Sequence, residues 1–160
     1  MWEVPIICPE QAIEPAWIDY NGHLNMAFYH VLFDRAVDHV YDRLGIGAEY
    51  VRTGNGSCFT MEVHVNYLSE LILGDRVSVT FQLLDHDAKR LHFFEQMHHA
   101  ENGELVATAE QLALHVDMHT RRSAPFPGEI QQRIESLAAA HANHPVPPQA
   151  GGRIGIRRKT

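Results

Sequence analysis

One stretch limits the possible folds more than any other. From Met26 to Leu44 the apolar residues Phe28, Val31, Leu32, Ala36, Val37, Val40 and Leu44 recur at three- and four-residue spacing, the stripe of an amphipathic α-helix. Gly45 follows where a C-cap is expected. At the usual rise such a helix is about 28 Å long, enough to cross a small sheet.

Beyond the helix the period changes. Residues 58–68 alternate, with Phe59, Met61, Val63, Val65 and Tyr67 on one side and Thr60, Glu62, His64 and Asn66 on the other. Period two predicts a strand. Val77, Val79, Phe81 and Leu83 repeat the pattern after Gly74-Asp75, and Leu91, Phe93 and Met97 repeat it after residues 86–90. Residues 104–118 predict a last long strand, in a hairpin set up by Glu101-Asn102-Gly103. Ahead of the helix, residues 3–8 predict a short strand that Pro5 confines to an edge or a strand start. Gly128 to Ala140 predicts a short terminal helix.

The expectation is an α+β fold, one long helix wrapped by an antiparallel sheet of about five strands. One domain is expected over residues 1–143 and a flexible tail over residues 144–160. A sheet with two faces and one helix leaves an edge or a face unpaired, so a homodimer or homotetramer is expected.

Thirteen Lys and Arg stand against twenty Asp and Glu, a net charge of −7. That balance argues against nucleic acid or an anionic membrane as partner. Any anionic ligand must be met by a local cluster, and Lys89-Arg90 and Arg121-Arg122 offer themselves; each also reads as a solvated turn. No run approaches the roughly 18 apolar residues of a membrane span, and no leader pattern opens the chain. Cys8 and Cys58 lie far apart without a CxxC spacing, so a reduced, cytoplasmic setting is expected. Twelve histidines show no metal-ligand spacing, no metal or cofactor is expected, and His92, His98 and His115 read as strand residues.

The chemistry concentrates between Trp17 and Asn25, where Asp19, Asn21, Gly22, His23 and Asn25 run into a helix start. Backbone N–H groups there are free and the dipole end is positive, so an oxyanion can be held. A plain alternative stays open at this stage: Asp19 or Asn25 as N-cap, Asn21-Gly22 as turn, His23 as surface.

The stretch from Asp19 to Tyr29 resembles the nucleophile segment of hotdog-fold acyl-CoA thioesterases of the 4-hydroxybenzoyl-CoA thioesterase type, with Asp19, Gly22 and Tyr29 at its aspartate, glycine and aromatic positions. Asp19, Asn21 and His23 are also similar to the catalytic stretch of plant acyl-carrier-protein thioesterases. Over residues 5–127, WIDYNGHLN, MEVHV, GDRV, LLDHDAKRLHFF and ALHVD resemble the thioesterase modules associated with carnitine dehydrogenase, whose proposed substrate is betainyl-CoA.

The resemblance implies a hotdog fold and hydrolysis of a small or medium acyl-CoA to free acid and CoA. Asp19 would be nucleophile or general base, with backbone N–H groups from Gly22 to Asn25 as oxyanion donors and Asn21 and His23 orienting water or carbonyl. Trp17, Tyr29, Glu62, His64 and Tyr67 are candidates for the acyl group, the aromatics because a quaternary ammonium prefers their faces. The resemblance favours Arg121 and Arg122 over Lys89 and Arg90 for CoA. Two rivals are a non-catalytic acyl-CoA binding module and a hotdog hydratase or dehydratase; GxSxG is absent, which removes a serine hydrolase.

Overall fold

A computed structural model describes residues 1–54, 56–156 and 158. Helix α1 spans Met26–Leu44, as its periodicity predicts. Asn25 caps it by accepting the Ala27 N–H at 3.0 Å. Gly45 ends it in the left-handed region at φ 82°, with the Ile46 N–H donating to the Tyr41 carbonyl. The buried stripe is shifted from the expected one: Tyr29, Phe33 and Tyr41 are buried, while Phe28 and Val31 are only partly so. A short helix α2, Ala48–Arg52, follows.

Among the described residues the sheet holds seven strands, against about five expected. The additions are two-residue pairings: β1 (Ile6–Ile7) and β2 (Gln11–Ala12) both flank β4 (Arg76–His86), and β7 (Arg122–Ser123) flanks β6 (Leu105–Asp117). Such short pieces carry too little periodicity to be read from sequence. With β3 (Ser57–Tyr67) and β5 (Arg90–His99) the order is β1-β4-β5-β6-β3, antiparallel throughout. Pro5 sits just before β1, at the edge position its missing donor requires.

The inner face packs on α1 through Val77, Val79, Phe81, Leu91, Phe93, Met97, Ala107, Ala109 and Ala113, with Phe81 and Phe93 stacked 4.7 Å apart. One face assignment needs correction. A bulge between Thr60 and Glu62 puts one extra residue into β3, so Phe59, opposite Leu114, lies on the other face from Val63, Val65 and Tyr67. Strict alternation cannot reveal a bulge.

Helix α3, Gly128–His141, buries Ile130, Ile134, Leu137 and His141 beside β4. The chain then crosses the outer sheet face. Gln82 Nε2 donates to the carbonyls of His144 and Pro145, Pro147 is buried, and the Gly151 N–H donates to Glu110 Oε2 at 2.7 Å. Of the expected tail, residues 157, 159 and 160 lie outside the described residues.

Candidate active site

The segment before α1 folds on itself. Pro15–Trp17 forms a 3-10 turn, and Ile18 and Leu24 meet in an antiparallel bridge. Between them the Asp19 N–H donates to the His23 carbonyl and the Gly22 N–H to the Asp19 carbonyl, each at 3.0 Å. Gly22 has φ 82°, with open space where a Cβ would stand, so glycine is required by backbone conformation rather than by crowding. The Leu24 N–H donates to the Leu71 carbonyl at 2.7 Å, tying the loop to the approach to β4.

This turn fixes both oxygens of Asp19. Oδ1 accepts the Asn21 N–H at 2.8 Å, and Oδ2 faces the Asn25 Nδ2 at 3.4 Å. At the helix start the Asn25 N–H is taken by the Trp17 carbonyl, the Ala27 N–H by the Asn25 side chain and the Phe28 N–H by the Asn25 carbonyl. The Met26 N–H has no acceptor among the described residues. An unclaimed donor at the positive end of a 19-residue helix, next to the residue that holds a carboxylate, is the geometry an oxyanion needs. Within the expected donor range, Gly22 to Asn25, the His23 N–H also has no acceptor among the described residues, and Met26 extends that range by one residue.

Asp19, Asn21, Gly22, His23 and Asn25 are therefore brought together. His23 Nδ1 lies 3.3 Å from the Leu24 carbonyl, its local partner. Tyr29 is buried, its hydroxyl donating to the Ser69 carbonyl, and burial pushes that hydroxyl up to about 12. Tyr67 stands edge-on to Tyr29 at 5.1 Å and donates to the Met26 carbonyl at 3.3 Å, with His30 Nε2 at the same distance. His30 was not singled out from sequence; its signal was only its place one turn into the helix. Trp17 is buried and stacked on Phe28 at 5.5 Å, with the Arg35 guanidinium 5.0 Å from its ring centroid, so its ring is already engaged. Met26, Leu68, Ile72 and Leu73 add an exposed apolar surface at this end.

The remaining candidates lie elsewhere in the chain. Glu62 and His64 sit on the outer sheet face with His92 and Glu110, lining a cavity of about 570 Å³. Lys89 and Arg90 occupy the β4–β5 hairpin, where Arg90 pairs with Asp87. Arg121 and Arg122 lie past the end of β6 at the start of β3, with Arg121 5.9 Å from the Phe59 ring. Both basic clusters are thus at the opposite end of β3 from Tyr67 and the Asp19 loop.

One buried acid was missed by the pattern reading. Glu95 on β5 is fully buried, accepts the Gln111 Nε2 at 2.7 Å, and has no partner for its other oxygen among the described residues. Desolvation holds its carboxyl well above the usual range and so favours the neutral form in the core.

Residues 13–134 match the thioesterase-like superfamily. The betainyl-CoA thioesterase of Pseudomonas aeruginosa is 43% identical over 147 residues, covering 92% of each chain. The L-carnitine dehydrogenase/betainyl-CoA thioesterase of Rhizobium meliloti is 38% identical over 154 residues, 96% of this chain but 31% of that longer protein. A hypothetical protein of Staphylococcus aureus solved in complex with CoA superposes with a TM-score of 0.85 at 32% identity, covering 97% of this chain and 98% of that one.

Proposed function

The chain belongs to the thioesterase-like superfamily and is an acyl-CoA thioesterase of the hotdog fold; from that premise we propose that its acyl group is betainyl, released as the free acid by attack at a carbonyl held between Asp19 and the Met26 N–H. The observation that carries the site assignment is the fixed Asp19 carboxylate beside the Met26 N–H, which is unclaimed among the described residues. The betainyl assignment rests on the two named relatives.

The carbonyl oxygen accepts the Met26 N–H, and negative charge that grows on it is stabilised by the helix end. Asp19 then acts by one of two routes. As nucleophile it bonds to the carbonyl carbon, the C–S bond breaks, CoA leaves as thiolate, and water hydrolyses the mixed anhydride. As general base it takes a proton from water, whose oxygen bonds to the carbon as the thiolate leaves. In both, Asn25 and the Asn21 N–H hold the carboxylate in place. The reaction draws on the chain's own groups and needs no resident cofactor.

A trimethylammonium cannot donate a hydrogen bond, so it is held by aromatic faces and negative charge. Tyr67, 42% exposed and bonded to the Met26 carbonyl, is the aromatic open to it. Against betainyl-CoA the decisive comparison is 3,3-dimethylbutyryl-CoA, its neutral isostere. A preference for the cation of about tenfold in kcat/KM is expected from one cation–π contact; equal rates or the reverse order would contradict the betainyl reading.

A homodimer completes the site. Strand β3 is an edge of 11 residues with Phe59, Met61 and Val63 exposed, a surface that a second copy covers by pairing β3 with β3. Antiparallel pairing about a two-fold axis brings the start of one β3 beside the end of the other. Arg121 and Arg122 of the second copy then stand near this chain's Asp19 loop, where CoA phosphates need them. Two free cysteines suit a reducing cytoplasm, and among the described residues no helix is long and apolar enough to cross a membrane.

A further inference from the structure

The C-terminal segment is an electrostatic outlier. Arg153, Arg157, Arg158 and Lys159 fall in its last eight residues, and without them the chain holds nine Lys and Arg against twenty Asp and Glu. Most other cations are already engaged: Arg35, Arg43, Arg52, Arg76 and Arg90 each pair with a carboxylate, and Arg133 donates to the Leu44 carbonyl. Lys89, Arg121 and Arg122 lie at the far end of the same chain's sheet, so Arg121 and Arg122 reach the Asp19 end only from a second copy.

The fold delivers residues 144–155, which lead into this basic run, to the Asp19 end. Anchors at Gln82 and Glu110 lead the chain across the outer face to Gly152, which passes His64. After that last anchor it runs beside the end of β3, and a groove of about 760 Å³ opens between them. Asn66, Tyr67 and Leu68 form one wall, and Gln149, Arg153 and Ile154 the other. Tyr67 connects the groove to the active site, since its hydroxyl bonds the carbonyl of Met26, the residue after the one that holds Asp19. The groove also carries an unspent acceptor, because Gln149 Oε1 is buried without a donor among the described residues. The amide N–H groups of a pantetheine arm are donors of the right kind.

We propose that this groove seats the CoA portion of the substrate, with Arg153 and the following Arg158 binding its phosphates alongside the second copy's Arg121 and Arg122, and Gln149 accepting from the pantetheine arm. The inference rests on the acyl-CoA reading above. A diphosphate and a phosphomonoester are the groups that charge-assisted bonds from guanidinium recognise. The C-terminal segment is in this account part of the binding site.

Calorimetric titration of free CoA tests it without requiring turnover, in the wild type, an Arg153→Glu/Arg158→Glu variant, its Lys/Lys counterpart, and Arg52→Glu as a remote charge control. The expected result is an affinity loss of about tenfold on reversal, the equivalent of about 1.4 kcal/mol. Lysine should retain most of the affinity, the control should match wild type, and reversal should flatten the salt dependence. Wild-type affinity in the reversal variant, or an affinity loss that comes with a lowered Tm, would overturn the proposal while leaving the thioesterase assignment standing. A wild type that binds no CoA would overturn both.

Discussion

Asn25 holds Asp19 and starts α1 with the same side chain: its Nδ2 faces Asp19 Oδ2 at 3.4 Å while its Oδ1 accepts the Ala27 N–H at 3.0 Å. Helix stability and carboxylate position are coupled through one amide. Asn25→Asp separates them, because aspartate is as good an N-cap but adds a negative charge against Asp19 and removes its donor. Near wild-type Tm with kcat lowered about 10- to 100-fold is expected. Asn25→Ala should lose about 1 kcal/mol of stability as well. Unfolding midpoints beside steady-state kinetics distinguish the two.

His141 predicts a pH dependence of stability. The Leu83 N–H donates to its Nδ1 and its Nε2–H donates to the Glu3 carbonyl, both at 3.0 Å, so the neutral ring joins α3, β4 and the N-terminal segment. Burial lowers its pKa below the ordinary value. As pH falls through about 6.5 the unfolded chain takes up the proton first, so the stability this group contributes is present above that pH and lost below it. His98, lowered by burial too, adds in the same direction. His141→Phe should weaken the pH dependence between pH 5.5 and 7.5 in urea titrations. It should also cost about 1–3 kcal/mol for the unpaired Leu83 N–H.

Glu95 has the opposite sign. Its raised pKa means the folded state keeps a proton that the unfolded chain releases above about pH 4.3, so its contribution declines as pH rises. Glu95→Gln preserves an acceptor for the Gln111 Nε2 and removes the titration. The stability gain of the variant over wild type should therefore grow from pH 5 to pH 8; a constant difference would show that Glu95 does not titrate there.

The free edge of β3 predicts the oligomer. Met61, 58% exposed at the bulge, is the position where a lysine most directly blunts edge pairing. Met61→Lys should sediment as a monomer where wild type sediments as a dimer, and its KM for acyl-CoA should rise as the second copy's Arg121 and Arg122 are lost. A monomeric wild type, or a dimeric variant with unchanged KM, contradicts the pairing.

Much of this was legible in the residues because single-residue rules governed it. The 3.6-residue stripe of α1 with Gly45 behind it fixed both helix ends, and the alternating runs fixed four long strands. The Asp19–Asn25 cluster was visible as a density of polar groups at a helix start. What escaped depends on distant partners. The bulge at Met61 shows only in register with β6, and Glu95 looks like an ordinary strand acid until α1 covers it. The free Met26 N–H emerges only after Trp17 and Asn25 have claimed its neighbours. Likewise, residues 144–152 read as a tail because their anchors, Gln82 and Glu110, are more than 40 positions away.

The central claim is that Asp19 is the carboxylate that breaks the thioester. It is tested most directly by free-thiol release from betainyl-CoA with wild type and Asp19→Asn, alongside CoA affinity and Tm. Loss of kcat by about 1,000-fold, with CoA binding and Tm retained, is the expected result. Turnover within tenfold of wild type in Asp19→Asn would contradict the account and move the chemistry to another group.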